Sequence, residues 1–169
     1  MIEVLPLFHR IAGEPVIILG EGAAAEAKRR LVARAGGLVC GEEVASARLA
    51  FVALDEPEAT AARLKSRGVL VNVPDRPELC DFTVPSILDR SPVLLAIGTG
   101  GASAGLAKAL RLRLEELLPP RLGGLAAALG KARDAIRARW PDAGVRRRAL
   151  DAALTAGGPL DPLCQGSAD

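Results

Sequence analysis

The chain has 169 residues, 50% of them hydrophobic and 25% charged, and its 22 basic and 20 acidic side chains leave a net charge of +2. That suits one α/β domain with an appendage and is too short for two full domains. A mean hydropathy of +0.25 is high, yet the longest uncharged run, Ser91 to Ala107, is broken by Gly98, Gly100, Gly101 and Gly105. It falls short of the roughly 18–20 apolar residues of a membrane span, and no membrane association is expected. Glu3, His9 and Arg10 interrupt the N-terminus before any signal-peptide core could form. Cys40, Cys80 and Cys164 make no CxxC pair. That argues against a disulfide framework and a structural zinc site, and it points to a reducing cytoplasm. Aromatic residues are only 2%, with no Tyr, so nucleic-acid binding by base stacking is not expected.

Pro15-Val-Ile-Ile-Leu19 is a continuous apolar run, the pattern of a buried parallel strand. Ala24, Ala27, Leu31 and Ala35 then recur at helical spacing over 23–35, and Gly36-Gly37 stops that helix. Leu38 to Cys40 predicts a second strand and Leu49 to Ala53 a third. A helix over 59–67 and a fourth strand over 69–72 follow. Strand–helix alternation with short glycine turns predicts a parallel sheet with right-handed crossovers. One spacing departs from that scheme. Only about eight residues, Gly41 to Arg48, join the second strand to the third, whereas a helical crossover needs a dozen or more. The simplest solution is a trimmed doubly-wound sheet in the order 2-1-3-4, with the chain passing directly over the first strand.

Beyond Asn72 the texture changes to a proline-punctuated segment with one more apolar strand, Val93 to Ile97. Two amphipathic helices are predicted after it. The first carries a stripe of Leu106, Leu110, Leu114 and Leu117, and the second one of Leu125, Leu129, Ala132 and Ile136. The tail from about Gly157 is expected to fray.

Gly20-Glu-Gly22-Ala-Ala-Ala25 follows a strand and opens a helix, the G-x-G-x-x-A form of a dinucleotide-binding turn. Gly20 makes the tight turn, Gly22 lets the backbone approach a pyrophosphate, and Ala25 lets helix and strand pack closely. Any strand–helix unit favours glycine here, so the turn alone leaves the plain structural reading open. With Ala23 and Ala24 these residues form the candidate cofactor set. The acidic ribose ligand is expected at the end of the second strand. There Cys40-Gly41 leaves Glu42 or Glu43 to serve if the loop bends back, and Asp55 after the third strand is a further candidate. Asn72-Val-Pro-Asp75 closes the fourth strand at the edge where α/β sheets bind ligands, and Asp75 is either a catalytic carboxylate or a turn former. Thr99-Gly-Gly101-Ala-Ser103 leads into the Leu106 helix and is either an anion cradle or a plain Ser103 N-cap. His9 is the sole histidine and reads as a surface residue without a metal role. Arg146-Arg-Arg148 reads as a solvated helix face or a counter-charge for a polyanion.

In this order the motifs resemble one family, the N-terminal part of siroheme synthase. That part is a bifunctional precorrin-2 dehydrogenase and sirohydrochlorin ferrochelatase. Leu5-Pro-Leu7-Phe8, Gly20-Glu-Gly22 with Ala25-Glu26 and Lys28, and Asn72-Val-Pro-Asp75 carry the first part of the likeness. Val84 to Pro92, Ala96 to Ser103, Leu106-Ala and Leu110-Arg carry its most specific part, and Leu117 to Gly123 and Arg146-Arg-Arg148 extend it. The methyltransferase domain fused behind it in bifunctional relatives is not among these 169 residues.

The resemblance implies a trimmed Rossmann-like dinucleotide-binding domain over 1–84. A helical dimerisation and tetrapyrrole-binding region follows over 85–169, with substrate near their junction. It implies hydride transfer from precorrin-2 to NAD⁺, with sirohydrochlorin as product and Fe²⁺ as a candidate substrate metal. An aspartate at the position of Asp75 is tied to both steps, since both release protons that a carboxylate raised in pKa by partial burial could accept. Thr99 stands where the family has a serine tied to tetrapyrrole or metal. Asn72, Arg90, Gly100, Gly101 and Ser103 complete the implied substrate-binding set. A cytoplasmic homodimer is expected. Two alternatives stay open: a chelatase with impaired NAD binding, and a non-catalytic tetrapyrrole-binding protein.

Overall fold

The structure, a computed structural model, describes residues 4–163. Cys164 lies outside the described residues. The chain divides between Val84 and Pro85 into two compact units.

The first unit is built on a parallel sheet of four strands, β1 (Pro15–Gly20), β2 (Leu38–Cys40), β3 (Leu49–Ala53) and β4 (Leu70–Asn72), in the order β2-β1-β3-β4. This is the trimmed arrangement that the short 41–48 link predicts. Helix α1 (Gly22–Arg34) packs on one face, where Val16, Ile18, Ala25, Val32 and Phe51 form one buried cluster. Helix α2 (Glu58–Ser66) covers the other, over Ile17, Ala50, Val52, Ala61, Leu64 and Val71. Alternate residues of β1 thus point to opposite layers, and the unbroken apolar run reflects burial on both faces. The link over 41–48 crosses on the α2 face. Its Ala47 is buried in that layer, and Arg63 of α2 and Arg67 just beyond its end hold Glu42.

The second unit opens with a two-stranded antiparallel sheet, β5 (Ser86–Arg90) and β6 (Val93–Ile97). The sequence reading missed β5, because prolines at 85 and 92 bracket it and Asp89-Arg90 break its apolar pattern. Four helices follow where two were expected: α3 (Ala104–Leu117), α4 (Leu122–Lys131), α5 (Arg133–Arg139) and α6 (Ala143–Leu154). The stripe read as one helix over Leu125 to Ile136 is divided at Ala132, which caps both α4 and α5. Pro141 follows α5, and the Asp142 side chain accepts from Val145 N–H to start α6. Gly123 sits at the start of α4 against the β5–β6 turn, where a β-carbon would collide with the carbonyl oxygen of Ser91. Of the tail expected to fray, residues 157–163 are described and form turns, and residues 164–169 lie outside the described residues. Asp161 accepts from the amides of Gly157 and Leu163, both at 2.9 Å, and folds the chain back.

Candidate functional site

The carboxyl ends of β1, β3 and β4 share one edge of the first unit's sheet, the edge at which open α/β sheets take their ligands. Gly20 ends β1 with φ +98°, and a β-carbon on it would collide with the Ala53 carbonyl of β3, so only glycine fits. Gly22 has φ +79° and nothing within 4 Å of a would-be β-carbon. Backbone at that point is open to a ligand. Ala25 is fully buried on the sheet. No side chain caps α1, and its first turn carries no acid. The amides of Ala23 and Ala24 therefore begin a helix whose positive end is unclaimed, which suits a pyrophosphate. Arg29, which the sequence reading did not single out, donates to the Gly20 carbonyl at 2.8 Å and fastens α1 to the turn.

The structure separates the two ribose candidates. Glu42 is held by a two-pronged pair from Arg63 at 2.6 and 2.8 Å, and Arg67 donates to its carbonyl at 2.9 Å. Those bonds hold the Glu42 carboxyl below the usual carboxylate range. Glu43 is not so engaged, and its carboxylate folds back over Gly41. Burial and the nearby Glu43 push the Cys40 thiol up. The β2 ladder ends with Cys40 opposite Ile17, three residues short of Gly20. At 3.3 Å per residue that is about 10 Å below the glycine turn. Asp55 lies just beyond β3, exposed.

Asp75, beyond the end of β4, is exposed and has a left-handed backbone with φ +60°. The partial burial expected of a proton-accepting carboxylate is not seen at Asp75. Behind it the 73–80 turn closes around Cys80. Its sulfur accepts from Val73 N–H at 3.2 Å and lies 3.2 and 3.3 Å from the carbonyls of Val73 and Arg76. Asn72 is buried, and its amide donates to the Phe82 carbonyl at 2.9 Å and to Cys80 at 3.6 Å. It is a strut of the fold, turned inward. The neighbouring Arg76 is occupied by Glu58 and Glu78. Lys28 of α1 stands 5.4 Å from the centre of the Phe51 ring. Half-burial pulls its ammonium down in pKa, opposed by the charges of Asp75 and Cys80.

In the second unit the 99–103 turn is self-satisfied. The Thr99 hydroxyl donates to the Ser103 carbonyl at 3.0 Å and accepts from Ser103 N–H at 3.1 Å, while the Ser103 hydroxyl caps α3 at Leu106 N–H. The Thr99 hydroxyl is engaged as donor and acceptor and the Ser103 oxygen as acceptor, and Gly100 and Gly101 have φ +61° and +84°. Arg90 donates to the carbonyls of Glu115 and Leu118 at the end of α3, so it acts as a strap within this unit. Arg146 donates to the Trp140 and Pro141 carbonyls, while Arg147 and Arg148 are solvated. His9 is exposed, in a cleft with Arg10, Glu14 and Arg48 at the opposite, amino-terminal edge of the sheet. Among the described residues no cluster of His, Cys, Asp or Glu could hold a metal ion, and no helix is long and apolar enough to cross a membrane.

Residues 7–86 match the family described as "Putative NAD(P)-binding". A siroheme synthase of Chromobacterium violaceum is 35% identical across 94% of this chain and 40% of its own length. A siroheme synthase of Methylobacillus flagellatus is 34% identical across 86% of this chain and 38% of its own. The chain thus spans about two fifths of these curated relatives. Among solved structures, SirC, a precorrin-2 dehydrogenase, superposes with a TM-score of 0.65 at 17% identity, over 91% of this chain and 90% of that one. At that identity the likeness speaks for the fold.

Proposed function

Because the chain belongs to the family of the siroheme synthase N-terminal region, we propose that it oxidises precorrin-2 to sirohydrochlorin, passing a hydride to NAD⁺. The observation that carries this reading is the pairing, on one sheet edge, of an uncapped glycine-lined helix start with the exposed carboxylate of Asp75. The residues present fit the dinucleotide. Gly20 and Gly22 clear space for a pyrophosphate, and the first turn of α1 offers its amides to it. Bound there, NAD⁺ supplies the hydride acceptor. Asp75 accepts the proton that the macrocycle releases when the hydride leaves. Water reaches Asp75 in the free protein, and a macrocycle laid over it would exclude that water and strengthen the carboxylate as a base.

Fe²⁺ insertion into sirohydrochlorin is the second reading, with the metal as substrate. Its support is the same open carboxylate, which could take up the two pyrrole protons that a metal displaces one after the other, passing the first to solvent before accepting the second. Thr99, Gly100, Gly101 and Ser103 enter the proposal through the backbone of their turn, since the Thr99 hydroxyl is engaged both ways and the Ser103 oxygen caps α3.

We extend the proposal to a homodimer through the second unit. Leu106, Leu110 and Leu117 of α3 are 52%, 44% and 63% exposed, and Ile87 and Leu94 of the sheet are 37% and 44% exposed. Apolar faces of this kind mark an interface. The free thiols of Cys40 and Cys80 support a reducing, cytoplasmic setting. Anaerobic incubation with precorrin-2, with and without NAD⁺, tests the main reading. The sirohydrochlorin spectrum should develop only with NAD⁺, and no conversion in either arm would overturn dehydrogenase activity.

A further inference from the structure

We propose that Lys28 is a substrate-positioning residue whose ammonium takes a carboxylate of the tetrapyrrole beside Asp75. The inference rests on the dehydrogenase reading and extends it to a residue that the fingerprint does not explain. Lys28 lies on the sheet-facing side of α1, between the buried Ala25 and Val32 at helical spacing. Its ammonium sits 5.4 Å from the centre of the Phe51 ring, and Phe51 in turn packs edge-on against Phe82 at 5.6 Å. The carbon stem is thereby fixed between helix and sheet.

The charge at its end is left without a close counter-ion. Asp75 is the carboxylate whose charge acts on it, but among the described residues no carboxylate forms an ion pair with Lys28. The other charges around the turn are engaged elsewhere: Arg29 with Gly20 and Glu26, Arg76 with Glu58 and Glu78, and Lys65 with Asp81. A half-buried ammonium with a ring face but no ion-pair partner is costly to keep. Next to Asp75 the cost is recovered if a ligand brings the missing anion. A lysine without an ion-pair partner and an exposed aspartate whose charge acts on it suit a ligand with separate acidic and proton-releasing groups. A tetrapyrrole is such a ligand, with carboxylates on its rim and N–H groups at its centre. The dinucleotide's phosphates have their own site at the first turn of α1, and the Lys28 ammonium is instead held over Phe51.

The test compares the K28M, K28R and D75A proteins as full chains in anaerobic steady-state assays. Met keeps the stem on Phe51 and removes only the charge. K28M should raise the KM for precorrin-2 about ten- to a hundredfold. Its kcat should stay within about threefold of the parent and its NAD⁺ affinity should not change, while K28R should restore most of the lost KM. Unchanged KM in K28M would overturn the proposal. So would a loss of NAD⁺ affinity, which would assign Lys28 to the dinucleotide. D75A separates the two layers of the argument: near-parental activity there removes the role given to Asp75. An inactive D75A beside an unaltered K28M removes the role of Lys28 alone.

Discussion

Gly20 and Ala53 meet so closely that a β-carbon on Gly20 would overlap the Ala53 carbonyl oxygen, whereas one on Gly22, two residues on, would meet nothing within 4 Å. The two glycines of the fingerprint therefore do different work. Gly20→Ala should destabilise the fold by about 3 kcal/mol or more, through the clash and its φ of +98°. Gly22→Ala should cost only about 1–2 kcal/mol of backbone strain yet abolish measurable NAD⁺ binding. Denaturant midpoints and calorimetric titration of the two variants separate these effects. Equal stability losses would show that the glycines are interchangeable.

Asp75→Ala should still fold, with a loss of about 1 kcal/mol at most, since the side chain is exposed and Asp tolerates the left-handed backbone better than alanine does. Its dehydrogenation rate should fall at least about 100-fold, the usual scale for a positioned acid–base group. A rate close to the parent's would remove Asp75 from the mechanism.

Dinucleotide affinity should be low and poorly selective. Glu42 is tied to Arg63, and the β2 ladder stops opposite Ile17, so the ribose hydroxyls lack a well-placed acid. Losing one or two charge-assisted hydrogen bonds of about 1.5–3 kcal/mol each weakens binding about ten- to several thousandfold. NAD⁺ is expected to bind at high micromolar to millimolar concentration, with little preference against NADP⁺. Low-micromolar NAD⁺ binding with strong rejection of NADP⁺, lost in Glu43→Gln, would show that Glu43 reaches the ribose.

The Glu42–Arg63 pair fastens the 41–48 crossover to α2, and it should make that crossover acid-labile. Its bonds hold the Glu42 carboxyl below its ordinary range. A carboxyl depressed by folding contributes stability above its unfolded value of about 4.3, and that contribution is lost as pH falls through the folded value. Between pH 7 and pH 3 the parent should lose more of its denaturant midpoint than Glu42→Gln does. Parallel losses in the two proteins would show that the pair adds nothing, as many exposed pairs do.

The homodimer proposal is checked by light scattering. The parent should run at about twice its 17.5 kDa chain mass, and a double Leu110→Glu, Leu117→Glu variant should run as a monomer of unchanged helix content. A parent that is monomeric at micromolar concentration would refute the interface.

The parallel sheet and its unusual strand order could be read from the sequence, because both follow from local quantities. Runs such as Val16-Ile-Ile-Leu19 are apolar on both faces, and eight residues from Gly41 to Arg48 cannot hold a helical crossover. The glycine turn was legible for the same reason, since Gly20 and Gly22 adopt backbone angles that other residues resist. What the folded chain decided were matters of partnership between distant residues. Arg63 claims Glu42 across 21 positions, Cys80 and Phe82 turn the Asn72 amide inward, and Arg90 is drawn to the end of α3. Lys28 comes to lie over Phe51 only when α1 packs on the sheet. Strand β5 escaped notice because Leu88 is its one fully buried residue, and its pairing with β6 is supplied by tertiary packing where its own alternation is weak. Chain-local patterns fix where backbone goes. Which polar group is left free for chemistry depends on which others have been paired, and only the assembled fold determines that.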